Sequence, residues 1–509
     1  MGIAFVTLCA KGKLMIGFGY VIYAVYVLST FWLFIGTAFQ LHLLWHARRK
    51  KVLAATKPLF PLPLVTVQVP VYNEKFVVAG LLHCLAKLDY PKHLFEIQVL
   101  DDSTDETSTL IDSEVDLMKS QGLNVSVVRR QERTGYKAGA LQHGLTTAQG
   151  EFVAIFDADF RPQPDFLKAL LPSFVDDTVG MVQARWAHQN RNENYLTRLQ
   201  TYLLDLHFGV EQEGRCTAGY FTNFCGTAGI WRRACITDAG GWDGTVLSED
   251  LDLSYRAQLK GWRAVYLPNV EVPAQLPAQM EGFKVQQFRW NKGMAQTARK
   301  TLISVLGTKT SLGKKLHGTF HLLGSFTFVC LFASAVLTVP LLHLRLASPL
   351  FFRLTNYTFW GSINLLAIVF LYYKSTAPRE RKWTDFLKNY SLFALVYLAL
   401  SVQNTVAVLQ GLSGRRSPFV RTPKFAAAGA STAAYKIKRD KGLLLLETGA
   451  FFYFLYGVFL SLYKGDCFFL GIQALFCCGL ALLLYPALPS IKGWSWPGRV
   501  VLKTVAPTN

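Results

Sequence analysis

The chain has 509 residues, of which 51% are hydrophobic and only 17% charged, and its net charge is +20. A soluble protein carries about 25% charged residues; here the missing charge is concentrated near both ends while the middle has an ordinary globular composition, which excludes a uniformly soluble chain. The basic excess sits mostly beside apolar segments, as at an anionic lipid surface, and no basic stretch interleaves aromatics as a nucleic-acid module does, so membrane lipids are expected as partners and no nucleic acid is. The nine cysteines form no CxxC pair, which leaves neither a disulfide framework nor a zinc site.

The first long apolar run, Phe18–Trp45, is long enough for a membrane anchor, since a crossing needs about 20 residues. Arg48, Arg49, Lys50 and Lys51 follow it at once, against Lys11 and Lys13 on the other flank, so the N-terminus is expected outside and the chain from residue 46 inside.

Residues 58–275 contain no run long enough to span. Short β-branched stretches alternate with helical spacing instead. Leu64–Val69, Glu96–Leu100, Val125–Arg129 and Phe152–Phe156 read as strands, with helices over Val78–Leu88, Asp105–Gln121 and Lys137–Ala148. This alternation predicts a parallel, doubly wound α/β domain. Ligands of such sheets bind beyond the carboxyl ends of the strands, where this chain carries acids. No GxGxxG loop is present, which disfavours an ordinary dinucleotide site.

Apolar runs return at Leu316–Leu344, Leu354–Tyr373, Leu392–Leu412, Leu443–Tyr463 and Phe468–Tyr485. Leu392–Leu412 carries Gln403 and Asn404 near its middle. It precedes a loop with Arg415, Arg416, Arg421, Lys424, Lys436, Lys438, Arg439 and Lys441 against Asp440 alone. Crossing would put those cations outside, so this run is expected to lie at the interface, leaving five crossings. The expected organisation is an anchor over 1–45, the α/β domain over 46–275, interfacial helices over 276–315 and a hairpin of crossings over 316–373. An interfacial helix with the basic loop follows over 374–442, then a second hairpin over 443–485 and an inside tail over 486–509.

Four clusters can carry chemistry. Asp101-Asp102 could accept hydrogen bonds from a base or ribose, or cap the helix that follows. Asp157 and Asp159, at i and i+2 after a strand, can converge on one hard cation, Mg²⁺ or Mn²⁺, or form a simple acidic loop. Ser248-Glu249-Asp250 offers a carboxylate that can deprotonate a hydroxyl, or acids favoured at a helix N-terminus. Gln286-Gln287-Phe288-Arg289-Trp290 combines a bidentate cation for a diphosphate with a flat indole for a sugar ring, or marks an interfacial helix.

Together and in this order, the clusters resemble the D, DxD, TED and QxxRW motifs of the processive glycosyltransferases of family 2, such as cellulose, hyaluronan and mannan synthases. The likeness covers roughly residues 60–425, and the wording around Gln68–Glu74 and Val99–Asp105 is similar to plant cellulose-synthase-like mannan or glucan backbone synthases. It implies a GT-A-like α/β doubly wound cytosolic domain inserted in an α-helical transmembrane bundle of the plasma (or inner) membrane or the Golgi. It also implies inverting transfer of a hexose from UDP-glucose or GDP-mannose to a growing β-linked polysaccharide acceptor, coupled to its translocation. Asp101, Asp102, Glu74, Lys137, Asp157 and Arg289 would then contact the sugar nucleotide, and Asp159 the metal. Asp250, with Glu249 beside it, would be catalytic, Asp250 as the general base. Trp290, Gln286 and the turn Cys225-Gly226-Thr227 would line the acceptor site. Phe419, Thr422 and Lys424 resemble a gating loop, with Arg421 where the family has Val.

Three other readings compete. A non-processive transferase acting on a membrane lipid would share the first three clusters. A transporter would need intramembrane charges, of which the spans hold few, Glu447 being the clearest. A non-catalytic binding protein is disfavoured because every acid of the clusters is present.

Overall fold

The computed structural model describes residues 2–49, 59–358, 360–376, 382–415, 417 and 440–485. Helix α1 (Gly2–Arg48) leads into β1 (Val65–Val71), α2 (Val78–Leu85), β2 (Phe95–Asp101), α3 (Thr107–Ser120), β3 (Val125–Val128), α4 (Tyr136–Leu145) and β4 (Phe152–Ile155). The domain continues with α5 (Phe166–Leu170), β5 (Val179–His188), α6 (Tyr195–Leu206), a π-helical turn (His207–Gln212) and α7 (Glu213–Ala218). It closes with β6 (Gly229–Arg232), α8 (Arg233–Asp238), α9 (Glu249–Leu259) and β7 (Arg263–Ala274).

The seven strands form one sheet in the order β3-β2-β1-β4-β6-β5-β7. Strands β3, β2, β1 and β4 are parallel as expected, but β6 runs antiparallel to both β4 and β5, so the sheet is mixed rather than wholly parallel. β1 and β2 are almost entirely buried because helices cover both faces, which is why they read as apolar runs without alternation. One face packs Leu81, Leu82, Ile111 and Phe166 on the strands; the other packs Leu141, Ile236 and Leu253 around Trp231.

The strand directions decide where the chemistry lies. β1, β2, β4, β5 and β7 all end on one edge of the sheet, and antiparallel β6 starts there. Glu74, Asp102, Asp157, the Cys225–Thr227 turn and Gln275 therefore converge beyond a single edge.

The bundle begins with α10 (Met280–Gly307), which carries QxxRW. The single run expected over Leu316–Leu344 is two helices, α11 (Leu312–Leu322) and α12 (Phe326–Ala347), turning at Leu323-Gly324. The run expected over Leu354–Tyr373 is likewise divided, between α13 (Pro349–Asn356) and α14 (Trp360–Thr376). Hydropathy is blind to such changes of direction. α15 (Trp383–Leu412), α16 (Lys441–Lys464) and α17 (Leu470–Leu484) complete the order. Among the described residues, four helices could by length and composition cross a membrane: Ile16–Arg48, α12, α15 and α16; the apolar stretches of α14 and α17 are shorter.

α15 is one unbroken helix of 30 residues, about 45 Å long. At its start Phe386 and Phe393 pack on Tyr202 of α6, with ring centroids 6.0 and 5.7 Å apart. Near its end Gln403 Nε2 donates to the Lys284 carbonyl at 3.1 Å, and Lys292 Nζ donates to Gln410 Oε1 at 3.0 Å, both partners on α10. Both ends thus touch the sheet domain or the QxxRW helix. α15 also meets the first turn of α12 through Thr405 Oγ1 and the Phe328 carbonyl (3.1 Å), and the last turns of α14 through Tyr372 and Phe393 (5.0 Å). Gln403 and Asn404 are buried; Gln403 Nε2 also reaches Asn404 Oδ1 at 3.4 Å, while Asn404 Nδ2 has no hydrogen-bond partner among the described residues.

Candidate active site

Asp102, Glu74, Lys137, Asp157, Asp159, Cys225, Gly226, Glu249, Asp250, Gln286, Arg289 and Trp290 all line one cleft of ≈ 210 Å³ at the carboxyl edge of the sheet. Residues nearly 220 apart in sequence meet there because strand ends and the N-termini of α9 and α10 share that edge.

Two expected residues do not line it. The Asp101 carboxylate is wholly buried, accepting from Arg129 Nε (2.9 Å), Ser108 Oγ (2.8 Å) and the Ser103 amide (3.0 Å). Consecutive residues at a strand end point to opposite sides, so Asp102 faces the cleft and Asp101 braces β2 against α3. Thr227, expected at the acceptor site, lies beneath it: its Oγ1 accepts from the Asp157 amide at 2.8 Å and fixes the turn after β4. Phe419, Thr422 and Lys424 lie outside the described residues.

Other residues complete the cleft or brace it from behind. Arg130 donates to both oxygens of Asp102, one at 3.0 Å, and to the carbonyls of Thr134 and Tyr136. Arg133 stacks on Tyr72 at 3.4 Å, giving a flat cationic and aromatic wall. Trp186 and His188 from β5 and Gln275 after β7 close the far side. The Arg129-Arg130 pair directly after β3 was the one available sequence signal for the Asp102 clamp.

The charges are crowded. Lys137 Nζ donates to Asp157 Oδ1 at 2.6 Å and to the Gly226 carbonyl at 3.0 Å. Burial works against its charge, but Asp157 and Glu249 outweigh burial and its pKa is raised. Arg289 is pushed down by burial and held charged by Glu249, Asp157, Asp250 and Glu74. Burial, then the neighbouring Glu249, push the Asp250 carboxyl up to about 7. Glu249 is also raised, chiefly by burial. Gly226 sits between these groups with φ +81°; a Cβ there would lie 3.0 Å from Asp250 Oδ2 and 3.5 Å from Lys137 Nζ. Only glycine adopts this backbone readily, and only glycine leaves the space beside Asp250 open.

α10 closes the cleft because α9 and α10 touch closely. A Cβ on Gly293 would overlap Ser248, and the Leu247 amide donates to Gln296 Oε1 at 3.0 Å. Six carboxylates (Glu74, Asp102, Asp157, Asp159, Glu249, Asp250) and three permanent cations (Arg133, Lys137, Arg289) line the cleft. Asp157 and Asp159 supply oxygen donors suited to Mg²⁺ or Mn²⁺, and among the described residues no three His, Cys, Asp or Glu side chains are placed to hold a metal ion by themselves. That partial donor set fits a cation completed by diphosphate and water oxygens.

Residues 62–293 match the family described as "Glycosyltransferase like family 2". The chain is 35% identical over 399 residues to "Glucomannan 4-beta-mannosyltransferase 1" of Oryza sativa subsp. japonica, covering 75% of this chain and 73% of the relative. It is 37% identical to "Glucomannan 4-beta-mannosyltransferase 2" of Arabidopsis thaliana, covering 71% and 67%. The fold is similar to that of the mannosyltransferase PcManGT from Pyrobaculum calidifontis, solved with GDP-Man and Mn²⁺, at TM-score 0.55 and 21% identity over 78% of this chain and all of that one. The acids of the cleft thus belong to a sugar-nucleotide-dependent transferase: the chain is a member of glycosyltransferase family 2, related to the plant glucomannan 4-beta-mannosyltransferases.

Proposed function

We propose that this enzyme extends a β-linked mannan-type backbone by inverting transfer of mannose from GDP-mannose, in a cleft facing the cytosol. The observation that carries the reading is that Asp250, raised to about 7, and Lys137 meet beside Gly226 in the same cleft as Arg289 and Trp290. A carboxylate of that pKa holds little charge below neutrality and accepts a proton efficiently near it. Asp250 takes the proton of the acceptor hydroxyl as that oxygen bonds to the anomeric carbon. The bond from that carbon to the diphosphate oxygen breaks on the opposite face. Arg289 and Lys137 stabilise the charge that develops on the departing diphosphate. Trp290 offers an apolar face for the acceptor sugar, and the Arg133–Tyr72 wall, with Asp102 held by Arg130, suits the nucleoside end.

Asp157 and Asp159 would hold Mg²⁺ or Mn²⁺. Six carboxylates against three permanent cations would repel an anionic nucleotide, so the donor is expected to enter with its cation. When bound, that cation neutralises the diphosphate.

For the membrane, α15 is read as an interfacial helix lying across the inner ends of α12 and α14, which leaves α1, α12, α14, α16 and α17 as the crossings. Its contacts with the sheet domain at the start and with α10 at the end support this. A helix crossing the bilayer would separate those ends by about 30 Å of hydrocarbon.

Purified protein incubated with radiolabelled GDP-mannose, UDP-glucose or GDP-glucose and a manno-oligosaccharide decides the substrate. GDP-mannose is expected to give a polymer that an endo-β-mannanase degrades. Label found only in a lipid extract would replace polymer extension with lipid glycosylation. A cysteine at Ser417 is expected to react with an impermeant maleimide only after the membrane is opened; reaction in sealed cells would show that α15 crosses.

A further inference from the structure

α10 has two faces. Gln286, Arg289, Trp290, Gly293 and Gln296 recur at the helical spacing that points one stripe at the cleft and α9. Lys284 lies on the opposite side of the helix and binds α16, while Lys292 lies on the flank between and binds α15. The position of α10 about its own axis therefore decides whether the QxxRW side chains point into the cleft.

Glu447 is the one acid in α16 and is 1% exposed. Both its carboxylate oxygens accept from Lys284 Nζ at 2.7 Å, and among the described residues no other hydrogen bond reaches that carboxylate. A buried carboxylate that loses its partner is strongly penalised, so Glu447 holds Lys284 at a fixed point. Gln403 fixes the same residue from α15 through its carbonyl, at 3.1 Å. Lys284 lies two residues before Gln286 and five before Arg289, on the far side of the helix.

We infer that Glu447 is a positioning residue: its ion pair with Lys284 sets the rotation of α10 and so aims Gln286, Arg289 and Trp290 at the acceptor end of the cleft. The inference rests on the proposed function for its substrate. The pair joins the catalytic cleft to α16, and no motif predicts it. The nucleoside end of the cleft, built from β1, β2 and the loop after β3, does not touch it.

The test uses full-length protein in detergent or nanodiscs. Glu447→Gln is expected to keep GDP-mannose affinity within about twofold and to raise the acceptor KM at least about tenfold, since a 1 Å misplacement can cost up to about 10²-fold. The charge-exchanged double variant Lys284→Glu/Glu447→Lys is expected to recover most of that loss, and Glu447→Lys alone is not. An acceptor KM equal to wild type in Glu447→Gln, a parallel loss of nucleotide affinity, or a double variant no better than Glu447→Lys would each overturn the inference. A second readout needs no turnover. With Gln286→Cys as a reporter, the alkylation rate at that position, followed by mass spectrometry, is expected to change with Glu447→Gln and return in the exchanged variant. If no sugar nucleotide is turned over by the wild type, the proposed function falls while this rate still decides the positioning role; an unchanged rate would overturn it.

Discussion

Buried charge is handled in opposite ways in the cleft and in the bundle. In the cleft, Arg289 faces four carboxylates at once, and Asp250 and Glu249 crowd each other under one lysine. In the bundle, charges are closed off with dedicated partners. Lys284 has both oxygens of Glu447. Arg345 has Asp466 at 2.6 Å, and Thr355 Oγ1 and Asn356 Oδ1 at 2.7 Å each. A closed pair resists change and holds helices in place. A crowded, unbalanced set shifts pKa values and awaits a ligand that redistributes its charge. The same residue types therefore serve architecture in one region and chemistry in the other, and substitutions in the two should fail differently.

The largest effect is expected at Asp250. Asp250→Asn removes the proton acceptor and leaves the nucleotide end of the cleft intact, so transfer should fall about 10²–10⁴-fold with nucleotide affinity nearly unchanged. A rate close to wild type would remove Asp250 from the mechanism. Next comes the metal. Chelation with EDTA should lower transfer by about 10²–10³-fold, matching the several kcal/mol such an ion supplies. Added Mg²⁺ or Mn²⁺ should restore it in the wild type but not in Asp159→Ala. Full activity in chelator would show that the excess of carboxylates has another purpose.

A smaller effect is expected from pH. Asp250 acts when ionised, and its raised pKa means that it gains a proton as pH falls through about 7. kcat/KM should then drop about tenfold per unit on the acid side. Glu249→Gln removes a like charge, so Asp250 should ionise more easily and the acid limb should move to lower pH. A limb that moves up, or stays, would show that Glu249 does not act on Asp250. By linkage, the same carboxyl works against stability: its penalty begins above the ordinary 3.8 and is complete above about 7.

The contrast also explains what the sequence disclosed. Strands were legible because β1 and β2 are buried on both faces, and their acidic ends marked the cleft. What a linear string cannot carry is direction. It could not say that Asp101 turns inward to Arg129 while Asp102 faces the cleft, nor that Thr227 holds the Asp157 amide from below. Nor could it reveal that β6 runs antiparallel and so delivers the Cys225–Thr227 turn to the same edge. In the bundle, the apolar run from Leu316 to Leu344 hid the turn at Gly324, because a bend costs nothing in hydropathy. The Glu447–Lys284 pair spans 163 positions, so the lone acid of its apolar run was visible in the sequence but its partner was not.

The smallest effect on catalysis is expected at Arg345 and Asp466. Arg345 lies near the end of α12, and Asp466 follows α16, whose 24 residues put it about 36 Å from the Lys441 end that adjoins α10. Both side chains are largely buried, and Arg345 also binds the Phe352 carbonyl, so the group clamps α12, α13 and the α16–α17 turn. Asp466→Asn leaves a buried guanidinium without its counter-charge, and breaking such a pair costs about 3–5 kcal/mol. The detergent-purified variant should melt at a clearly lower temperature than wild type. None of these residues touches α10 or the strand ends, so nucleotide affinity and acceptor KM, measured well below the melting point, should stay within about twofold, as expected of substitutions far from a site. Equal loss at the Glu447 pair and at the Asp466 pair would mean that both merely hold the bundle together. A change in acceptor KM at Glu447 with none at Asp466 would separate a pair that aims the cleft from a pair that only clamps helices.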